Sequence, residues 1–275
     1  MISLRHLAIM QGRLLPPIGE RIQAFPREHW EQEFPAAAGL TAIEWIYDTY
    51  GLGANPLESA EGVARIASLS RQHSVSIQSV CADYFMDFAF VRSTDAERLA
   101  RLEHLLWFLG QAKLLGVTRV VLPFVDRSAI RDAADRECVV DSIRRSLPAA
   151  GAAGIELHLE SSLAPEDFAR LLADLPHPLV KVNYDSGNSS SLGYRPADEF
   201  AAYGCRVGSV HIKDRVLYGT TVPLGQGDAD LDGVFAALRR VDYAGDIVLQ
   251  VARGTAGEEV QWARHNRAFV ERYLN

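Results

Sequence analysis

Three observations predict a single-domain α/β protein built as a (β/α)8 barrel. Eight short β-branched or apolar runs alternate with longer segments of helical period from one end of the chain to the other. The length, 275 residues, suits eight βα units, whereas a doubly wound sheet has fewer strands. A doubly wound sheet would also place a GxGxxG turn after its first strand, and QGRLLPP stands there instead. No linker, low-complexity tract or further repeat divides the chain, so residues 1–275 are expected to form one domain.

In chain order the expected strands are LAIM (7–10), TAIEWI (41–46), VSIQSV (75–80), RVVLPF (119–124), IELHLE (155–160), LVKVNY (179–184), VGSVHI (207–212) and DIVLQV (246–251). The intervening segments are amphipathic. In 95–115, Leu99, Leu102, Leu105, Leu106 and Leu109 fall on one helical face. Gly39, Gly116, Gly154 and Gly245 precede strands, where a helix C-terminus favours a residue tolerant of positive φ.

Composition bounds the function. The chain is 48% hydrophobic with a net charge of −7, and no basic run or aromatic-interleaved basic stripe appears, which disfavours nucleic acid as a partner. The three cysteines, Cys81, Cys138 and Cys205, are far apart with no CxxC pair, so neither a disulfide framework nor a thiolate zinc site is expected, and a reducing cytoplasm fits. The N-terminal stretch MISLRHLAIMQGRLLPP is broken too soon by Gln11, Gly12 and Arg13 to be a signal peptide or membrane span. No GxSxG elbow, P-loop or HExxH occurs.

In a (β/α)8 barrel the chemistry gathers at the C-terminal mouth, where strand-ending residues converge. Glu160, Asp185, His211 and Gln250 close or nearly close the last four expected strands, at intervals of 25, 26 and 39 residues. The first two intervals equal one compact βα unit each. The third is lengthened by 215–228 (RVLYGTTVPLGQGD), a candidate lid. Three oxygen ligands and one imidazole suit one divalent ion, Mn²⁺ or Mg²⁺ first, with Co²⁺ or Zn²⁺ admitted by the histidine.

The stretches MQGRL, CADYF, NYDSGN, VHIKD and VPLGQGDADLDGVFAALRRVDYAG resemble the sugar phosphate isomerase/epimerase family of xylose-isomerase-like TIM barrels, and most of all its L-ribulose/L-xylulose-5-phosphate 3-epimerase type. The likeness spans nearly the whole chain and is strongest over 155–253. It implies an isomerase or epimerase of a small sugar or sugar phosphate that acts through an enediolate. It also implies a divalent metal held by Glu160, Asp185 and His211, with Gln250 standing where the family has a second metal-binding glutamate. The family uses both glutamates as the acid/base pair, so Glu160 is the expected catalytic base and Gln250 removes its counterpart. Asn188 stands three residues after the aspartate, as in the phosphopentulose branch. Related barrels include dehydratases acting on 3-dehydroshikimate and multi-zinc endonucleases, and the acidic charge and the single histidine among the four candidate ligands disfavour the latter. A non-catalytic carbohydrate-binding relative lacking the second base is the rival from another class.

A strand rises ~3.3 Å per residue, which ranks substitutes for the missing group by height. Glu156 lies ~13 Å below Glu160 as a bottom-layer carboxylate, and His158 lies ~6.6 Å below it as a core histidine. Lys213 stands ~6.6 Å above His211, at the mouth, where it could donate a proton, meet a phosphate or pair with Asp214. Gln11, Arg13, Glu44, Arg215 and Arg253 complete the candidate substrate contacts: Glu44 for a sugar hydroxyl or a structural ion pair, and the arginines for a phosphate or carboxylate. Tyr47, Tyr84 and Phe85 are either an apolar wall or core, while Gly225 and Gly227 could expose amides to an anion beside the helix-capping candidates Asp228 and Asp230. The expected partners are small molecules, not a membrane, and a homo-oligomer is compatible with the sequence.

Overall fold

The computed structural model describes residues 2, 4–17, 23–37 and 39–274; of the N-terminal stretch read above, residues 1 and 3 lie outside it. The strands are β1 (Leu7–Met10), β2 (Ala42–Ile46), β3 (Ser79–Cys81), β4 (Arg119–Phe124), β5 (Glu156–Ser161), β6 (Val180–Asp185), β7 (Val207–Ile212), β8 (Asp214–Arg215), β9 (Thr221–Val222) and β10 (Asp246–Leu249). The helices are α1 (Ala60–His73), α2 (Tyr84–Asp87), α3 (Asp95–Leu115), α4 (Ala133–Ala153), α5 (Pro165–Asp174), α6 (Ser186–Ser191), α7 (Pro196–Tyr203), α8 (Leu231–Arg240) and α9 (Glu259–Leu274). Eight strands close a parallel barrel in the order β1-β10-β7-β6-β5-β4-β3-β2, and β8 pairs with β9 as an antiparallel hairpin above it. The fold is the expected (β/α)8 barrel in a single domain.

All eight expected strands are present, and two differ by more than one residue at an end. The third is regular only over Ser79–Cys81. Ser76 makes a single bridge to Ala42 and the Gln78 carbonyl accepts from the Thr118 amide (3.0 Å), but regular pairing begins only at Ser79–Cys81, where Val80 lies opposite both Trp45 of β2 and Val120 of β4. The last strand ends at Leu249, although the Gln250 amide still donates to the Ile212 carbonyl (3.0 Å). In α3 the buried stripe is Leu102, Leu105, Phe108, Leu109 and Ala112, while Leu99 is 44% exposed. The helix begins a full turn before it reaches the barrel, fixed there by a Thr94–Glu97 capping box.

Gly39, Gly116 and Gly154 adopt positive φ, as their place before strands predicts. Gly245 does not. A Cβ there would lie 2.7 Å from the Gly208 carbonyl, so close backbone approach is the requirement. Between β6 and β7 the register shifts by one residue at Gly208, and this bulge leaves Asp185 directly opposite His211. At the barrel floor Arg119 is ion-paired with Asp246, which also meets the His6 ring (3.1 Å). Among the described residues no helix is long and apolar enough to cross a membrane.

Candidate active site

Glu160 near the end of β5, Asp185 at the end of β6 and His211 in β7 are all buried, and each offers a donor atom within 4.8 Å of the others. His211 Nδ1 lies 3.4 Å from Glu160 Oε2 and 4.0 Å from Asp185 Oδ2. It is a buried nitrogen without a hydrogen bond, while the other ring nitrogen, Nε2, is 2.6 Å from Glu44 Oε1. A carboxylate on Nε2 fixes the ring and turns Nδ1 toward the two acids, where a bound cation would take the place of the Nδ1 proton, the arrangement found behind metal-bound histidines. The three residues therefore fit a divalent cation.

Each acid is held in place from behind. Asp185 Oδ1 accepts from the amides of Gly187 (2.9 Å) and Asn188 (2.8 Å), capping α6 and leaving Oδ2 toward the cluster. Glu160 Oε2 accepts from Asn183 Nδ2 (2.8 Å), and Oε1 accepts from Asn188 Nδ2 (2.7 Å). Burial alone would raise Glu160, but His211, Lys213 and Asn183 outweigh it and keep the carboxyl below its ordinary range. Burial likewise disfavours a charged His211, yet Glu44 and Glu160 push its pKa up to about 10. Asn183 Oδ1 accepts from Ser209 Oγ (2.6 Å), which lies 2.7 Å from His158 Nδ1. The far side of that ring meets Glu156 (3.0 Å), so His158 is a satisfied core histidine and Glu156 a bottom-layer carboxylate, as their heights predict.

Lys213 Nζ lies 2.7 Å from Asp185 Oδ2 and 2.7 Å from Gln250 Oε1, so its partner is Asp185 and not Asp214. A Cβ on Gly187 would come within 2.7 Å of the lysine stem, which explains how the ammonium reaches so far inward. Gln250 thus stands beside the three ligands with its carbonyl oxygen engaged by Lys213. Its amide donates to Gln23 Oε1 (3.0 Å), and Gln23 Nε2 donates to Asp83 Oδ2 (2.7 Å). Gln23, Asp83, Glu160, Asn188, Lys213 and Gln250 line one cavity of about 320 Å³, within the range of small-ligand sites.

The remaining candidates divide between the cavity and its supports. Arg13 and Arg215 reach the cavity, but Arg13 Nε donates to the Val251 carbonyl (2.9 Å). Arg215 donates to the Gly219 carbonyl (2.7 Å) and to Asn188 Oδ1 (3.0 Å). Arg253 is tied to the carbonyls of Leu15 (3.1 Å) and Gly12 (2.5 Å), and Gln11 Oε1 accepts from the Ile46 amide (2.9 Å). Glu44 is wholly buried against His211, the structural one of its two expected roles. Tyr47 and Phe85 are core, stacked on Phe108 and Phe90.

The expected lid is pinned. Asp214, fully buried, accepts from the amides of Gly225 (2.8 Å), Gly227 (3.0 Å) and Ala229 (3.1 Å), so the anion those glycines meet is the protein's own carboxylate. Asp228 accepts from the Leu217 amide (2.7 Å), and Asp230 caps α8. Sequence reading passed over Asp83, Gln23, Asn183 and Glu33. Only Asp83 carried a signal, as the polar residue of CADYF just beyond a strand.

Comparison with known proteins agrees with the barrel fold. Inosose dehydratase of Geobacillus kaustophilus (strain HTA426) is 25% identical over 163 residues, 50% of this chain and 53% of that protein, so the match spans about half the length of the curated relative. The crystal structure of IOLI protein with a zinc atom superposes at a TM-score of 0.76 with 19% identity, covering 98% of this chain and 99% of that one. L-ribulose 3-epimerase superposes at 0.75 with 17% identity, covering 100% and 95%. Residues 33–273 match the family described as xylose isomerase-like TIM barrel, and the chain belongs to that family.

Proposed function

We propose that the protein is a metal-dependent isomerase or epimerase of a small sugar, working through an enediolate with Glu160 as the base. The observation that carries this reading is the Glu160, Asp185 and His211 cluster with its unbonded imidazole nitrogen, set against the cavity. Glu160, Asp185 and His211 would hold a divalent ion, Mn²⁺ or Mg²⁺ by the donor set, which would supply positive charge beside the substrate. Glu160 takes the proton from the carbon beside the carbonyl, and the amides of Asn183 and Asn188 hold its carboxylate ionised and in one plane for that transfer. Lys213 brings a further cation to the cavity wall, where a developing oxyanion gains from it.

An unphosphorylated sugar fits best. Each arginine expected to take a phosphate already donates to backbone carbonyls. The inosose dehydratase likeness supports a second reading, loss of water from a cyclic polyol ketone. Incubation with Mn²⁺ and unphosphorylated pentuloses and hexuloses in D₂O tests the first. Deuterium should enter at a carbon next to the carbonyl, and no exchange with any of them would sink it. A product lighter by one water from inosose would select the second.

A further inference from the structure

Epimerisation removes a proton on one face of a carbon and returns one on the other, so it needs a second proton-transfer group besides Glu160. Gln250 has no ionisable proton. Lys213 is held by two partners, Asp185 and Gln250. Resting on the enediolate reading, we propose that Asp83 is the second catalytic residue, facing Glu160 across the cavity.

Position supports it first. Asp83 lies just past β3 and Glu160 near the end of β5, flanking the mouth of β4 across roughly two strand spacings, ~10 Å, and both line the same cavity. Two carboxyls reaching inward from that separation leave room for one sugar carbon. Orientation supports it second: Cys81 Sγ donates to Asp83 Oδ1 (3.1 Å) and Gln23 Nε2 to Oδ2 (2.7 Å), fixing the carboxyl through neutral donors. Gln23 is also the partner of Gln250, so a two-amide bridge runs from the position that has lost its acid to the acid proposed here. Burial foremost, with the charges of Glu160 and Asp48, raises the Asp83 carboxyl to about 6, where it can both give and accept a proton near neutral pH.

The proton balance closes. From one epimer, ionised Glu160 takes the carbon proton, the enediolate forms, and protonated Asp83 delivers its own proton to the opposite face. Exchange with solvent then resets both carboxyls. From the other epimer the roles reverse.

The test uses Asp83→Asn with Mn²⁺ in D₂O and both members of the pairs D-fructose/D-psicose and L-ribulose/L-xylulose. Wild type should wash deuterium into both members of a pair. The variant should exchange one member at the wild-type rate, lose exchange with its partner at least ~100-fold, and form no epimer, the lower range for loss of an acid/base group. Retained exchange with one epimer also shows that the variant is folded. Equal exchange with both epimers, loss with both, or a one-sided loss in Lys213→Met instead would overturn the assignment of Asp83. No exchange by the wild type itself would bring down the underlying reading.

Discussion

The two sides of the barrel mouth use charged residues in opposite ways. On the β5–β7 side, Glu160, Asp185, His211 and Lys213 meet one another, side chain to side chain, around a place for a cation. On the side built by the loops after β1 and β10, charged groups grip backbone: Glu33 takes the Gly12 amide (2.6 Å), Arg253 holds the Gly12 and Leu15 carbonyls, and Arg13 holds the Val251 carbonyl. Loops without regular pairing must satisfy their polar backbone somehow, and buried side chains do it there.

That contrast can be broken most sharply at Asp185. Replacing it by Asn turns an ionised oxygen into a neutral amide beside buried His211, and Mn²⁺ affinity in titration calorimetry should fall ~10³-fold, about 4 kcal/mol. Binding at wild-type strength would remove Asp185 from the cation site. On the opposite side, burial foremost raises Glu33 from 4.5 to about 7 against the opposing pull of the Gly12 and Leu14 amides. Its folded pKa lies above the unfolded one, so the native state holds an extra proton between those values and stability falls as pH rises through that window. Glu33→Gln should lack this slope, and the wild-type advantage over it should shrink by ~3 kcal/mol between pH 4.5 and 7 in urea unfolding, with Mn²⁺ affinity untouched. A parallel pH profile in both proteins would contradict the buried proton. Smaller still, Glu44→Gln should weaken Mn²⁺ ~10- to 100-fold through the His211 ring alone, without Glu44 reaching the cavity. If sugar affinity changed and metal affinity did not, Glu44 would instead be a hydroxyl ligand.

Strand-borne features were legible in the sequence because a strand has a fixed rise and a fixed parity. That arithmetic located Glu160, Asp185 and His211 on neighbouring staves and ranked Glu156 and His158 below them. It failed where pairing left the ladder. The third strand is irregular between its single bridge at Ser76 and the ladder that starts at Ser79, and Gly245 serves a close approach that no local pattern encodes. Gln23 and Glu33 were invisible, and Asp83 showed only as the polar residue of CADYF, for the same reason: their contacts join segments 60, 227 and 21 residues apart along irregular chain. Arg13, Arg215 and Arg253 were visible as cations, but the carbonyls that occupy them were not.

The three amides gathered by Asp214 bear on how a molecule enters. A rim segment fastened at Gly225, Gly227 and Ala229 to one buried carboxylate can swing away only by stripping that carboxylate of three hydrogen bonds.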